Sequence, residues 1–552
     1  MQSSMIDARG RTSASKQPIL CRMETTTLAS LAELLRSEGL LRGTANLSAD
    51  VADTPVCGAD CDSRVVREGH LFICKGAAFK PVYLTSALSA GAVGYLCDEE
   101  HAAGLAEVAP TTPALIAGDL RRAMALVSAE AFGHPDRDLR VVGITGTKGK
   151  STVSYMLREV LDATRRGSTV GTETGPTGEH ATGVIGSIDT YDGVELLESH
   201  NTTPESPDLW RHLANMRNSG LAFVDMEVSS QGLKYDRVLG LSLDVACFLN
   251  IGRDHISPVE HPNFADYFES KLRIFDQARI AVVNLDSDHA DTILKRAERC
   301  ERIVTFSARA LPGADVWSSD VHSSLGVVSF VAHTPTWEGE VTLSMPGLFN
   351  VDNALATITI AEALGPDVAN GPAIIAALGR ARVPGRMELI QTRSGKVTAL
   401  VDYAHNKLSY QRFFPSVCEE FPGYRIIAVF GAPGGKAYER RTELPQEAAR
   451  WSDFLIYTEE DPANDPVEEI CAQMAAATPE GTPYEVICDR EEAVRRSVQL
   501  GYEGEGPALL CLLAKGDETR QHEGNDFVPC RTDGQIFAEA VQAYGDEAVA
   551  GA

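Results

Sequence analysis

The sequence predicts an α/β protein made of three successive units, and three observations carry that expectation. Short apolar runs of strand length alternate with helix-like stretches along the chain. One run, Leu139 to Thr145, breaks into a glycine-rich turn and then a helix, the opening of a doubly wound α/β domain. Two polar or Pro/Gly segments, around His134–Asp138 and Val383–Gly385, punctuate the chain between the units.

Taken in order, residues 1–22 carry no apolar stretch ahead of a small-residue cleavage site. They are expected to be a disordered tail rather than a secretory signal, or to be untranslated if Met23 is the true start. Residues 23–137 mix apolar runs at Val65–Cys74, Ala92–Cys97 and Ala114–Ala117 with helical stretches at Leu84–Gly91 and Leu120–Phe132, a small α/β unit. Residues 138–383 add strand candidates at Leu221–Val228, Val245–Leu249 and Ile280–Val283. Helices at Ser151–Ala163, Pro207–Met216 and Phe264–Phe275 lie between them, as a parallel sheet with crossover helices requires. Residues 384–552 repeat the alternation, with strands expected at Thr398–Val401, Ile426–Phe430, Phe454–Tyr457 and Leu509–Leu513. No internal repeat or low-complexity segment interrupts them.

Composition narrows the function classes. A chain of 552 residues that is 44% hydrophobic and 23% charged is of ordinary globular type. Fifty Lys and Arg against 77 Asp and Glu leave a net charge of −27, which repels nucleic-acid backbones and anionic lipid but leaves room for a local basic pocket around a phosphorylated small molecule. No apolar run approaches the ~20 residues of a spanning helix, so no membrane insertion is expected. Twelve cysteines show no paired spacing beyond Cys57/Cys61 and read as reduced thiols of a cytoplasmic protein.

The chemistry starts at Gly146-Thr147-Lys148-Gly149-Lys150-Ser151-Thr152. Glycines let backbone N–H groups approach phosphate oxygens, the following helix turns its positive end to the anion, Lys150 can reach the β- and γ-phosphates, and Ser151 or Thr152 can hold Mg²⁺. The full phosphate-loop spacing is not met, because Ile144 stands five positions before Gly149. Met226-Glu227-Val228 ends an apolar run, which puts Glu227 at a carboxyl sheet edge, where it could complete a Mg²⁺ site or simply be solvated. Asn250-Ile-Gly-Arg-Asp254-His255 follows the next run, and His255 reads equally as a metal ligand or as a loop histidine.

These segments, with His200-Asn-Thr202-Thr203-Pro-Glu205, Ser229-Ser-Gln231, Pro384-Gly-Arg386-Met-Glu388 and Asp402-Tyr-Ala-His405, occur in one order that resembles the Mur ligase family of peptidoglycan synthesis, from about Asp62 to Arg531. Within it they resemble the members that add the third residue to UDP-N-acetylmuramoyl-L-alanyl-D-glutamate. The resemblance implies a three-domain architecture with an N-terminal UDP-binding domain, a central P-loop-like ATPase domain and a C-terminal Rossmann-like domain that brings the amino acid. It implies that Ser63 and Arg64 receive the UDP, that Thr202, Thr203, Ser229 and Arg237 hold the muramoyl-dipeptide, and that Asn350, Asn353 and Arg386 hold the nucleotide. Read alone, Asn350 could as well cap a helix. Lys271 matches the lysine that the family carbamylates with CO₂, making an anion that joins Ser151, Glu227 and His255 around Mg²⁺; read alone it would be a solvated lysine. Asp402, His405, Glu460, Asp461, Ala463 and Glu518 match the segments that meet the incoming amino acid. Tyr235, Ala514 and Asp517 depart from the family's usual residues.

The implied reaction is ATP-dependent: the substrate carboxylate is phosphorylated and the acyl phosphate is then attacked by an amine. In relatives that add meso-diaminopimelate an arginine stands where this chain has Ala463, which favours L-lysine, with meso-diaminopimelate or ornithine as alternatives. Lys75–Phe79, Ile256–Pro262 and Val383–Met387 also resemble the lysine-adding subgroup, while Arg440, Arg441 or Arg520 could stand in for the missing arginine. A folate-polyglutamate-type ligase would lack the unit before residue 138, and an inactive nucleotide-binding partner would be expected to lose Lys150, Glu227, His255 or Lys271. The protein is expected to be a monomer.

Overall fold

The computed structural model describes residues 26–76, 79–166, 180–199, 201–257, 260–524 and 526–550. The expected tail at 1–22, and Ala77, Ala78, Pro258 and Val259 of the subgroup motifs, lie outside them. Residues up to His134, with Ser206–Arg211, make one compact unit; Pro135–Glu205 and His212 onward make the other. Among the described residues no helix is long and apolar enough to cross a membrane.

In the first unit a five-stranded sheet runs in the order Leu41–Ala45, Ala114–Ala117, Gly94–Asp98, His70–Ile73, Gly58–Asp60. Its strands are parallel except for the edge pair Leu41–Ala45 and Ala114–Ala117.

The second unit holds an eleven-stranded sheet whose middle is parallel: Arg302–Ser307, Ala278–Asn284, Leu243–Phe248, Arg140–Thr145, Phe223–Glu227, Thr182–Ile185. Strand order reverses about Arg140–Thr145, so its carboxyl end, with those of its two neighbours, forms the crevice where open α/β sheets bind ligands. Helix Lys150–Arg166 covers this strand with Val153, Met156, Leu157, Val160 and Leu161, an apolar stripe at helical spacing. Helix Asn350–Leu364 is buried on nearly every side. Both flanks depart from the all-parallel expectation: Val316–Ser324, Val327–His333 and Glu338–Leu343 extend one edge as an antiparallel meander, and Asp189–Tyr191 and Leu196–Glu198 extend the other. These strands are half exposed and carry few long apolar runs, so the buried-strand signal passed over them.

The third sheet runs Tyr484–Val486, Phe454–Tyr457, Arg425–Phe430, Ala508–Leu513, Val397–Asp402, Glu388–Thr392, Ala548–Ala550. Four of its strands match the four expected runs to within a residue or two at each end; the parallel edge strand Tyr484–Val486 and, on the other side, the antiparallel Glu388–Thr392 and Ala548–Ala550 are not among the expected runs.

Candidate active site

A cleft of about 1830 Å³ opens at the carboxyl edge of the central parallel strands and is walled by the third sheet's loops. Strand Arg140–Thr145 feeds directly into the glycine turn, and helix Lys150–Arg166 starts at its end. Asn250, just past the neighbouring strand, braces the turn: its Oδ1 accepts from Lys148 N at 2.9 Å, its Nδ2 donates to Lys148 O at 2.9 Å, and its carbonyl accepts from Thr147 N at 3.0 Å. Gly149 has φ +91°, and a Cβ there would stand 2.4 Å from Asn353 Oδ1, so only glycine fits. Asn353 donates to Asn350 Oδ1 at 2.8 Å, and Asn350 donates to the Pro346 carbonyl at 2.6 Å. Asn350 is the first residue of its helix and does not cap it. Ser151, Thr152 and Arg386 also line the cleft; the Arg386 guanidinium lies 4.2 Å from the Tyr403 ring centre.

Lys271 is 2% exposed, against the reading of a solvated lysine. Its Nζ donates to the Gly146 carbonyl at 2.9 Å and lies 4.9 Å from the Tyr267 ring centre. Burial, then the neighbouring Lys150 ammonium, pull its basicity well below the ordinary lysine range. Lys150 donates to the same carbonyl at 3.0 Å and is lowered by burial too, against the Glu227 carboxylate. Lys148 pairs with Asp254 at 3.2 Å. Burial pushes the Asp254 carboxyl up, but Lys148, His255 and His405 together hold it below the usual range. Asp254 also accepts from Asn406 Nδ2 at 3.1 Å, tying the glycine turn to the third sheet.

Glu227 ends strand Phe223–Glu227, 1% exposed, and its carboxylate accepts from Ser187 N at 2.8 Å and Ser187 Oγ at 3.0 Å. Thr203 Oγ1 donates to the Glu227 carbonyl at 3.0 Å and accepts from Ser229 N at 2.9 Å, while Arg237 donates to Thr203 O at 2.9 Å. Thr202, Thr203, Ser229 and Arg237 thus gather beside Glu227. His255 is half exposed, with Nδ1 3.1 Å from Glu260. Among the described residues the His, Cys, Asp and Glu side chains that stand close enough in threes to share a metal are Asp192, Glu195 and His212, where Asp192 takes His212 Nδ1 at 2.7 Å; Glu227 and His255 belong to no such group. Ser63 and Arg64 lie in the first unit, where Asp62 grips the Arg64 guanidinium.

On the opposite wall, Asp402 gives both oxygens to backbone, to Met387 N and Ala404 N, each at 2.8 Å, so it braces the segment after Arg386. His405 Nδ1 meets Tyr403 O at 2.6 Å; burial, then Lys148 and Arg440, push its basicity well below the usual histidine value. Glu460 is 8% exposed with Oε2 unpartnered. Burial drives its carboxyl up to about 7, Arg440 pulling against this and Asp461 and Glu518 adding to it. Lys515 lies 3.1 Å from Glu518 and 3.5 Å from Asp461. Ala463, at φ +49°, is held between His522 O and Gly524 N at 2.9 and 2.7 Å. Of the three arginines that could replace an arginine there, Arg441 is buried on Asp465 and Gln473, whereas Arg440 and Arg520 both line the cleft, Arg520 paired with Glu198 at 2.7 Å.

The sequence places Asn250 and Asp254 just past a buried strand but assigns neither a role, and it gives no role to Ser187 or Tyr267; Ser187 sits in a hairpin turn whose short strands carry no signal.

Two family models match the chain, the Mur ligase middle domain over residues 144–361 and the Mur ligase glutamate ligase domain over 385–516. Over 536 residues the chain is 36% identical to a UDP-N-acetylmuramyl-tripeptide synthetase of Bifidobacterium longum, covering 92% of this chain and 98% of that protein. The chain belongs to the Mur ligase family. A second relative of this Mur ligase, 31% identical over 509 residues, covering 90% of this chain and 95% of the other, is a UDP-N-acetylmuramoyl-L-alanyl-D-glutamate–L-lysine ligase of Enterococcus faecalis. In fold, the Mur ligase is similar to a solved UDP-N-acetylmuramoyl-L-alanyl-D-glutamate–2,6-diaminopimelate ligase, with a TM-score of 0.63 at 24% identity over 94% of this chain and 99% of that one. As a Mur ligase it is an ATP-dependent ligase of the α/β class.

Proposed function

We propose that this Mur ligase makes a UDP-N-acetylmuramoyl-tripeptide in the cytoplasm, joining L-lysine to the D-glutamate of UDP-N-acetylmuramoyl-L-alanyl-D-glutamate and converting ATP to ADP and phosphate. The reading draws on the tripeptide-synthetase and lysine-ligase names of its relatives. The observation that carries the choice of amino acid is the unpartnered buried oxygen of Glu460, a residue that lines the cleft beside Asp461 and Glu518. A terminal ammonium satisfies that oxygen, whereas the second carboxylate of meso-diaminopimelate would meet Glu460, Asp461 and Glu518.

A free carboxylate is a poor electrophile, so activation precedes amide formation. Lys150 and the N–H groups of Gly146 to Ser151 gather the ATP phosphates, and Asn350, Asn353 and Arg386 hold the nucleotide. Thr202, Thr203, Ser229 and Arg237 orient the dipeptide so that its terminal carboxylate faces the γ-phosphate, while Ser63 and Arg64 take the UDP. The D-glutamate carboxylate oxygen attacks the γ-phosphorus and the bond to ADP breaks. The lysine amine then attacks the acyl carbon and phosphate leaves. Glu460 with Asp461 holds the far ammonium of the amino acid, and Glu518 and His405 face its reacting end; Glu518, whose basicity burial raises, can accept the amine's proton.

The donors fit Mg²⁺: Ser151 and Glu227 supply hydroxyl and carboxylate oxygens, and His255 would turn from Glu260 to join them. When bound, the ion neutralises phosphate charge. Lys271 fits carbamylation for a physical reason: burial lowers its basicity and so favours the neutral amine, whose lone pair can take up CO₂ with loss of one proton, adding two oxygen donors. Incubating the protein with ATP, UDP-N-acetylmuramoyl-dipeptide and single amino acids, and measuring phosphate release, tests the reading; no release with any diamino acid would refute it.

A further inference from the structure

Ser187 is not among the residues that any relative's name points to, yet it touches both halves of the site. It sits in the turn between strands Thr182–Ile185 and Asp189–Tyr191, where Gly186 N donates to Asp189 O at 3.0 Å. The turn is pinned from the phosphate-loop helix: Tyr155 donates to Asp189 Oδ2 at 3.0 Å, and Arg158 pairs with that oxygen at 3.5 Å. Gly186 packs so closely that a Cβ there would stand 2.9 Å from Glu227 Oε1. Ser187 N and Oγ take the two oxygens of Glu227, at 2.8 and 3.0 Å, and Ser187 Oγ also lies 2.9 Å from Thr202 Oγ1.

A hydroxyl carries one proton and a carboxylate donates none. The single Ser187 proton faces two acceptors, Thr202 Oγ1 at 2.9 Å and Glu227 Oε2 at 3.0 Å, so it serves one of them at a time. A substrate group that donates to Thr202, a peptide N–H or a sugar hydroxyl, competes for the Thr202 oxygen and turns the Ser187 proton to Glu227. The carboxylate is then held by both Ser187 N and Ser187 Oγ, which locks it in one orientation.

We propose that Ser187 is a positioning residue that couples occupancy of the dipeptide site at Thr202 to the orientation of Glu227, and so to binding of the Mg²⁺-nucleotide. This rests on the dipeptide and metal assignments proposed above. By linkage the coupling is mutual: each ligand tightens the other by the same factor.

The test is calorimetric binding of Mg²⁺ with a non-hydrolysable ATP analogue, alone and in the presence of UDP-N-acetylmuramoyl-L-alanyl-D-glutamate. For the unaltered protein the dipeptide is expected to tighten nucleotide binding about fivefold or more. Ser187→Ala keeps the backbone N–H to Glu227 and removes the hydroxyl, so the factor should fall to within about twofold of unity, while affinity for the nucleotide alone changes little. Ser187→Thr should restore it, and Thr202→Val, which removes the competing acceptor, should abolish it again. Undiminished coupling in Ser187→Ala, or none in the unaltered protein, overturns the proposal. Failure of the unaltered protein to bind the UDP-dipeptide would instead strike the functional reading itself, and this coupling with it.

Discussion

Lys271 and Gly146, 125 residues apart in sequence, are joined by a 2.9 Å hydrogen bond from the buried ammonium to the first carbonyl of the phosphate loop. Lys150 donates to that oxygen as well, at 3.0 Å. Two cations on one carbonyl, both out of water, is an arrangement that resists full protonation and that anions relieve. In the function proposed above, bound phosphates would relieve it at Lys150 and a carbamate at Lys271.

Lys150→Ala should therefore lower ADP formation by ~10²-fold or more, the scale of losing one oriented cation from a phosphoryl-transfer site. Its fold should survive, because the ammonium costs more to bury than its single bond to Gly146 returns. Steady-state ADP release and a thermal melt, measured together, check this; turnover within ~10-fold of the unaltered protein would remove Lys150 from the phosphate site.

For Lys271 the sign is worked from the lowered basicity. Between the depressed value in the folded state and ~10.4 in the unfolded chain the unfolded state binds more protons, so unmodified Lys271 destabilises the protein at neutral pH and stability rises with pH across that window. In CO₂-depleted buffer Lys271→Met should melt a few degrees above the unmodified protein. Bicarbonate should narrow that gap by stabilising only the protein that keeps the lysine. In activity, Lys271→Ala should lose most turnover and regain part of it with a short-chain carboxylic acid, whereas Lys271→Arg, always charged, should stay inactive.

Glu460, raised to about 7 by burial, should impose a pH profile on the amino acid. Below that value it is protonated and neutral and attracts an ammonium weakly; above it the carboxylate forms. kcat/KM for L-lysine should rise with pH through about 7, and Glu460→Gln should flatten the rise and raise KM by ~10-fold or more, with KM for ATP unchanged. A profile unaltered in Glu460→Gln would place the ammonium elsewhere.

Much of this architecture was legible in the residues, and the misses have physical causes. The parallel strands Arg140–Thr145, Phe223–Glu227, Leu243–Phe248 and Ala278–Asn284 read as apolar runs and could be located, and with them the positions of Gly146 to Thr152 and Glu227 at carboxyl ends; Thr182–Ile185 and Arg302–Ser307, parallel too but shorter or broken by Thr and Ser, could not. The edge strands Val316–Leu343 alternate weakly and carry Ser, Asp and Gly, which hides them. Burial of Lys271 could not be read from Tyr267-Phe-Glu-Ser-Lys271, because it is set by Gly146 and Tyr267 packing over the side chain, a long-range contact without local signature. Asp402 carried the family pattern, but only the fold shows both its oxygens spent on backbone.

The comparison of kcat/KM for L-lysine, meso-diaminopimelate and L-ornithine under one set of conditions tests the central claim most directly. With Arg441 held by Asp465, Arg520 held by Glu198 and Ala463 offering no charge, L-lysine should exceed meso-diaminopimelate by ~10-fold or more, about 1.4 kcal/mol of discrimination. A preference for meso-diaminopimelate would contradict the account of Glu460 and Ala463 and would point to Arg440 or Arg520, which line the same cleft, as the partner of the second carboxylate.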